Sequence, residues 1–195
     1  MMVGMIVGWS GHEPLLIAHG TLCYHVPRML VDASPLIYLA KLDALDVFRA
    51  IGRVAIVTPE VERETSRPAL AYDHPDSMLI AEALRTGLIE RTTLDEAEVA
   101  RAATLLEQAG GIGRGEAEVL AAGQARNAPV LLFERRALKL AASLGLEVWS
   151  PPRLLIGGTP DPGVARDRLI RFARLVAMPF QDLEQLLARL EEPNR

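Results

Sequence analysis

An α/β fold built around a parallel sheet is the architecture this 195-residue sequence predicts. Three observations lead there. Short runs of strand length recur at Met29–Val31, Val54–Val57, Leu88–Thr92, Pro129–Phe133 and Leu146–Trp149, most of them apolar and several with β-branched residues, as buried parallel strands tend to be. Amphipathic stretches of helical spacing lie between them, and strands that alternate with helices are joined by crossovers, which makes the sheet parallel and covers both its faces. Hydrophobic residues reach 50% against 24% charged, enough apolar surface for a packed core and too little charge for a disordered chain.

Composition also narrows the chemistry. The single cysteine, Cys23, rules out a disulfide framework and a cysteine-built zinc site, and makes a reducing compartment, the cytoplasm, the simplest home. His12, His19, His25 and His74 show no ligand spacing, so any metal has to be held by oxygen. With 21 basic and 25 acidic residues the net charge is −4, so a polyanionic substrate would depend on local basic patches or bound cations. No apolar run approaches the ~18 residues of a membrane span.

Residues 1–28 read as an N-terminal extension of unknown role, in which Leu15–Ala18 offers an edge strand and after which Met29 is a natural start for a domain. Met29, Leu30 and Val31 form a buried strand that carries Asp32 at its carboxyl end. Ser34 serves as N-cap of the next helix and Pro35 occupies its first turn, where a missing N–H is harmless. Leu42–Phe48 gives a short second helix closed by Gly52. After the strand Val54–Val57, Thr58-Pro59 opens a helix holding Glu60, Glu62 and Glu64, the first of which suits the helix macrodipole. Pro75–Thr86 and Leu94–Ala109 are helices on either side of Leu88–Thr92, the second with Val99, Ala102, Leu105 and Leu106 as its stripe. Gly110–Gly115 interrupts the chain before a helix at Glu116–Arg126. Helix Glu134–Leu144 joins the last two strands. Gly157–Gly163 has the composition of a linker, and amphipathic helices follow at Val164–Ala177 and Pro179–Glu192, whose stripes need the domain or a second subunit to cover them.

Asp32 has the first chemical claim. Crevices in open α/β sheets lie beyond the carboxyl ends of the strands, so an acid there faces ligand space, although an Asp before a helix also serves as a turn or cap. The glycine-rich Gly110–Gly115 lies between helices and lacks a Gly-Lys-Ser/Thr ending, so it meets neither the phosphate-loop nor the dinucleotide pattern that a nucleotide-binding protein would need. It leads instead to Glu116 in a first helical turn. Taken singly, Glu60, Glu62, Glu118 and Glu134 suit solvated or helix-start positions. Arg135, Arg136 and Lys139 follow the fourth strand, and Arg166, Arg168, Arg171 and Arg174 crowd the tail; either set serves phosphate contact or an ordinary polar helix face.

Four blocks in order, VDASPLIYLAKL, TPEVERE, GIGRGEAEVLAAG and VLLFERRALKLAASLGLEV, resemble the PIN-domain family of metal-dependent ribonucleases, especially its branch of toxin–antitoxin toxins, over residues 29–150. The resemblance implies a three-layer α/β/α sandwich around a parallel sheet, with acids gathered at one end to hold Mg²⁺ or Mn²⁺. Asp32 matches the first family acid, Glu64 the second through the pattern P-x-V-x-x-E, and Glu116 the third through G-x-G-E. The fourth position departs: where relatives carry Asp-Asp or Asp-Glu after the strand, this chain reads Phe133-Glu134. Glu134 is the candidate replacement, but one step along a strand is expected to turn its side chain away. Ser34, beside the first acid, is a candidate for positioning substrate.

The resemblance therefore implies a divalent-metal-dependent endoribonuclease acting on RNA, a toxin with an antitoxin protein as partner, and a homodimer. Residues 29–150 form the PIN-like domain on this reading, and residues 151–195 the linker and C-terminal helices. Its rival is a catalytically silent PIN-like module that binds a protein or an RNA, which Phe133 favours. Clustered carboxylates repel one another, so convergence of Asp32, Glu64 and Glu116 would point to a cation.

Overall fold

The computed structural model describes residues 26–65 and 75–191. Among them, five strands form one all-parallel sheet: β1 Arg28–Val31, β2 Val54–Val57, β3 Ile89–Arg91, β4 Val130–Leu131 and β5 Val148–Trp149, in the order β3-β2-β1-β4-β5. Helices cover both faces of β1, and Met29, Leu30 and Val31 are at most 2% exposed. Leu30 pairs with Ile56 on one side and Val130 on the other. The chain builds β2 and β3 to one side of β1, then returns to build β4 and β5 on the other. Strand order thus reverses between β1 and β4, and it is beyond the carboxyl ends at such a switch point that open α/β sheets place their crevice.

The helices are α1 Ala33–Lys41, α2 Val47–Ala50, α3 Pro59–Thr65, α4 Pro75–Arg85, α5 Glu96–Gln108, α6 Arg114–Arg126, α7 Arg135–Ser143, α8 Pro151–Gly158, α9 Pro162–Leu175 and α10 Phe180–Glu191. Several boundaries differ from the sequence expectation. The second helix shrinks to a single turn because the preceding chain folds into turns, with Asp43 at φ 51°. α5 waits for Asp95, whose Oδ1 accepts the Glu98 N–H at 2.8 Å while the Asp95 N–H donates to Glu98 Oε2 at 3.0 Å, a reciprocal capping box. α6 starts at Arg114 instead of Glu116, because the Gly113 N–H donates to Glu116 Oε2 at 2.7 Å and draws Arg114 and Gly115 into the first turn. β4 stops at Leu131, which leaves Phe133 and Glu134 outside the sheet.

The larger correction is α8, a helix that the sequence reading did not have, which starts at Pro151 and takes in the first two residues, Gly157 and Gly158, of the stretch read as a linker. Pro151 and Pro152 sit in its first turn, where proline is tolerated, and Leu154 and Leu155 are fully buried. Gly158 comes so near α2 that a Cβ there would stand 2.6 Å from Val47 Cβ. The glycine serves close packing between helices.

The tail belongs to the same core. Ala165, Leu169 and Phe172 of α9 are fully buried, and α10 packs on α9 and buries Leu190. Two of the tail arginines fasten it. Arg168 donates to Thr159 Oγ1 at 3.0 Å, to the Asp43 carbonyl at 2.8 Å and to Asp46 Oδ1 at 2.9 Å, and Arg171 donates to the Lys41 carbonyl at 3.3 Å. Lys41 is the last residue of α1, whose carbonyl has no partner within the helix.

A second tie orients α6. Arg126 grips the buried Glu98 with two hydrogen bonds of 2.7 and 2.8 Å and reaches Thr92 Oγ1 at 2.7 Å, and this pairing holds the Glu98 carboxyl below the usual range. With its C-terminal end fixed to α5, α6 directs its N-terminal end at the crevice. Residues 1–25 of the N-terminal extension, with Leu15–Ala18, Cys23, His12, His19 and His25, lie outside the described residues, as do His74 and the end of the last helix at Glu192. No helix among the described residues is long and apolar enough to cross a membrane.

Candidate metal centre

Asp32 is the residue between β1 and α1. It occupies the N-cap position in extended conformation, is 4% exposed, and makes no capping hydrogen bond through its side chain. The cap expected of Ser34 is therefore not made; Ser34 is half-buried inside the first turn of α1. Glu64 comes from α3, which follows the carboxyl end of β2. Of the acids on this helix, Glu60 is paired with Arg63, whose Nε donates to Oε2 at 2.7 Å, and Glu62 accepts Arg91 Nε at 2.7 Å. The Glu64 carboxylate reaches α6, with Oε2 beside Gly115.

Gly115 is where the three elements meet. A Cβ on this buried residue would stand 3.4 Å from Glu64 Oε2, 3.5 Å from Asp32 Oδ1 and 3.3 Å from Val61 Cγ2. Its neighbour Glu116 is 9% exposed; Oε2 is held by the Gly113 N–H, while Oε1 is buried without a hydrogen-bond partner. Asp32 and Glu116 both stand at helix N-termini, whose partial positive charge offsets some of their repulsion.

The electrostatics record the crowding. Burial pushes the Asp32 carboxyl up to about 7; the Ala33 and Ser34 N–H groups oppose the rise, and the charges of Glu116 and Glu64 add to it. Burial also raises Glu116, against the Gly113 N–H and with the help of Glu134. Glu134 is exposed, yet its charge reaches Glu116, and strand alternation does not govern its direction. The reason is that β4 has ended: Glu134 stands at the N-cap position of α7 at φ −68°, ψ 132°, and the two-residue period applies only within a strand.

Phe133 has a different role. Its ring meets Tyr38 of α1 at 5.1 Å and Phe172 of α9 at 5.7 Å, and those two meet at 5.8 Å, all edge to face. The residue in the place of the fourth family acid anchors the C-terminal helices. The glycine loop also has a structural use. Gly111, at φ 93°, lies under the Arg136 guanidinium, whose Nη1 would be 1.7 Å from a Cβ there and donates to the Gly110 carbonyl at 3.4 Å. Arg136 is thereby engaged, whereas Arg135 and Lys139 on α7 and Arg114 on α6 are exposed.

Sequence reasoning passed over three residues that shape the site. Glu118, given a solvated or helix-start role, accepts the Glu60 N–H at 3.0 Å and so caps α3, a helix other than its own, which carries Glu64. Thr58 is fully buried with an unpartnered hydroxyl, and extending the β1–β2 register by two residues sets it beside Asp32. Gly115 was visible only as punctuation in G-x-G-E. No local pattern announces contacts of this kind.

The donors fit a hard divalent cation. Among the described residues no three Asp, Glu, His or Cys side chains close tightly enough to cage an ion unaided. A Mg²⁺-like ion keeps several waters and takes only one or two carboxylates directly, which suits Asp32 and Glu64 flanking Gly115, with the spare Glu116 oxygen nearby.

Fold and crevice together define a nuclease-type α/β domain, with its acids at the carboxyl end of the central strands. A family model described as a PIN domain, DUF3368, matches residues 28–154, and the chain belongs to the PIN-domain family, whose members are generally nucleases. No curated protein matches the chain.

Proposed function

We propose that this protein is a divalent-metal-dependent endoribonuclease, with Asp32, Glu64 and Glu116 holding Mg²⁺ or Mn²⁺ and Glu134 as the fourth acid. The observation that carries the reading is the meeting of the Asp32 and Glu64 carboxylates at Gly115, beside the unpartnered oxygen of Glu116. When bound, the cation supplies positive charge to a scissile phosphodiester and makes water more acidic. The chain's own residues bind and orient: Ser34 lies beside the first acid for substrate positioning, and Arg135 and Lys139, one turn apart on α7, meet RNA phosphates. The proposal extends to a cytoplasmic toxin restrained by an antitoxin protein and acting as a homodimer.

The test is cleavage of a mixed RNA pool by purified protein in Mn²⁺ and in chelator, with Asp32→Asn prepared identically. Cleavage that requires both the metal and Asp32 is expected; cleavage equal in the variant would mean a contaminant. Growth arrest on expression, lost in the same variant, tests the toxin role, and the mass of the particle in solution tests the dimer. One observation favours the rival reading of a catalytically silent binding module: Phe133 stands in an aromatic cluster where relatives carry an acid. That reading expects no Mn²⁺ binding by the wild-type protein.

A further inference from the structure

Gly115 has no conformational need to be glycine. It lies in the first turn of α6 with no positive φ, and alanine is the better helix former. The three nearest atoms around its missing Cβ are all side-chain atoms: Val61 Cγ2 at 3.3 Å and the two carboxylate oxygens at 3.4 and 3.5 Å. Only the valine is tight, and it has to give by a few tenths of an ångström. A methyl group would therefore pack against the protein as it stands. It would also fill the space that the Asp32 and Glu64 oxygens share.

We infer that Gly115 is a positioning residue that keeps the space between Asp32 and Glu64 open for the cation, its lack of a side chain being what lets both carboxylates reach one ion. This rests on the metal site proposed above. A Mg²⁺-like ion takes oxygens at about 2.0–2.1 Å and retains water. A methyl in van der Waals contact with both oxygens shields them from that approach, so alanine here blocks the ion while leaving the helix sound.

The experiment measures Mn²⁺ affinity by titration calorimetry, and thermal unfolding with and without Mn²⁺, for wild type, Asp32→Asn, Gly115→Ala and Gly115→Ala/Val61→Ala. Gly115→Ala is expected to unfold no earlier than wild type in chelator, to bind Mn²⁺ at least tenfold more weakly, and to lose the Mn²⁺-induced rise in Tm. The double variant relieves the one tight contact and is expected to remain as weak. Recovery of affinity in the double variant would overturn the inference, because the defect would then be a displaced α3. Wild-type affinity in Gly115→Ala, with binding lost in Asp32→Asn, would overturn it too and leave the metal site standing. Equal binding by wild type and Asp32→Asn would remove the metal site itself.

Discussion

Asp32 holds a proton that other aspartates release, because β1 ends inside the molecule and delivers its carboxyl to a buried place beside two further acids. In the unfolded chain this group titrates near 3.8, in the folded one near 7. The folded state therefore binds the proton more tightly, so the stability Asp32 contributes is complete below the unfolded value and is lost as pH rises through the folded one. Asp32→Asn removes the charge and keeps the shape. In chelator at pH 8 the variant is expected to be more stable than wild type by about 1–2 kcal/mol, some ~2–8 °C in Tm for a protein of this size, and its Tm is expected to vary less between pH 4 and 8. Saturating Mn²⁺ should reverse the order, since only wild type gains from the ion. Thermal scans across pH in chelator and in Mn²⁺ check both statements; a wild type already as stable as the variant at pH 8 would refute the first. Cation binding itself is expected to strengthen as pH rises toward 8, because the ion takes the unprotonated carboxylate.

Among the elements, α9 ties the fate of the fourth acid to the tail. Phe172 is fully buried against Tyr38 and Phe133. Phe172→Ala is expected to lose ~3–5 kcal/mol, as large aromatic truncations in cores do, and to expose the α9–α10 segment to limited proteolysis before the rest. Phe133→Asp restores the family's acid but inserts a charge among aromatic rings. Its expected outcome is a lower unfolding midpoint with no gain in RNA cleavage, and a faster enzyme of unchanged stability would contradict the account. The same elements mark what the sequence could disclose. β1, β2 and most of the helices were legible because burial on two faces, or on one stripe, leaves a periodic trace. α8 was not, because Pro151-Pro152 and Gly157-Gly158 have the composition of a linker, and it takes Val47, distant in sequence, to show why glycine packs there. Asp32, Glu64 and Glu116 could be singled out from motif spacing, and Arg63 stands one helical turn from Glu60, but the arginine that engages Glu62 could not be foreseen, since Arg91 lies on β3. Strand alternation does not reach Glu134 for a local reason: β4 ends two residues before its apolar run does.

The whole molecule carries a net charge of −4, and its proposed site adds acids where RNA would have to approach. Its long-range field therefore repels the substrate, and association has to rest on the bound cation and a few nearby basic groups. Several of the arginines are already occupied: Arg126 by Glu98, Arg136 by the glycine loop, Arg168 by the turn after α1. Arg135 and Lys139 are exposed on one side of α7 next to Glu134. If they meet the RNA backbone, each lost contact should flatten the dependence of log affinity on log salt by about 0.7, the value for single strands, and weaken binding alike for unrelated sequences. The measurement is RNA binding across a salt series in the Asp32→Asn background, where no cleavage is expected, with Arg135→Ala and Lys139→Ala added in turn. Arg168→Ala provides the contrast. It should lower the unfolding midpoint, because Thr159, Asp43 and Asp46 lose their shared donor, and leave the salt slope unchanged, because that arginine holds the tail. A slope that falls for Arg168→Ala and not for Arg135→Ala would move the RNA path from α7 to the C-terminal helices.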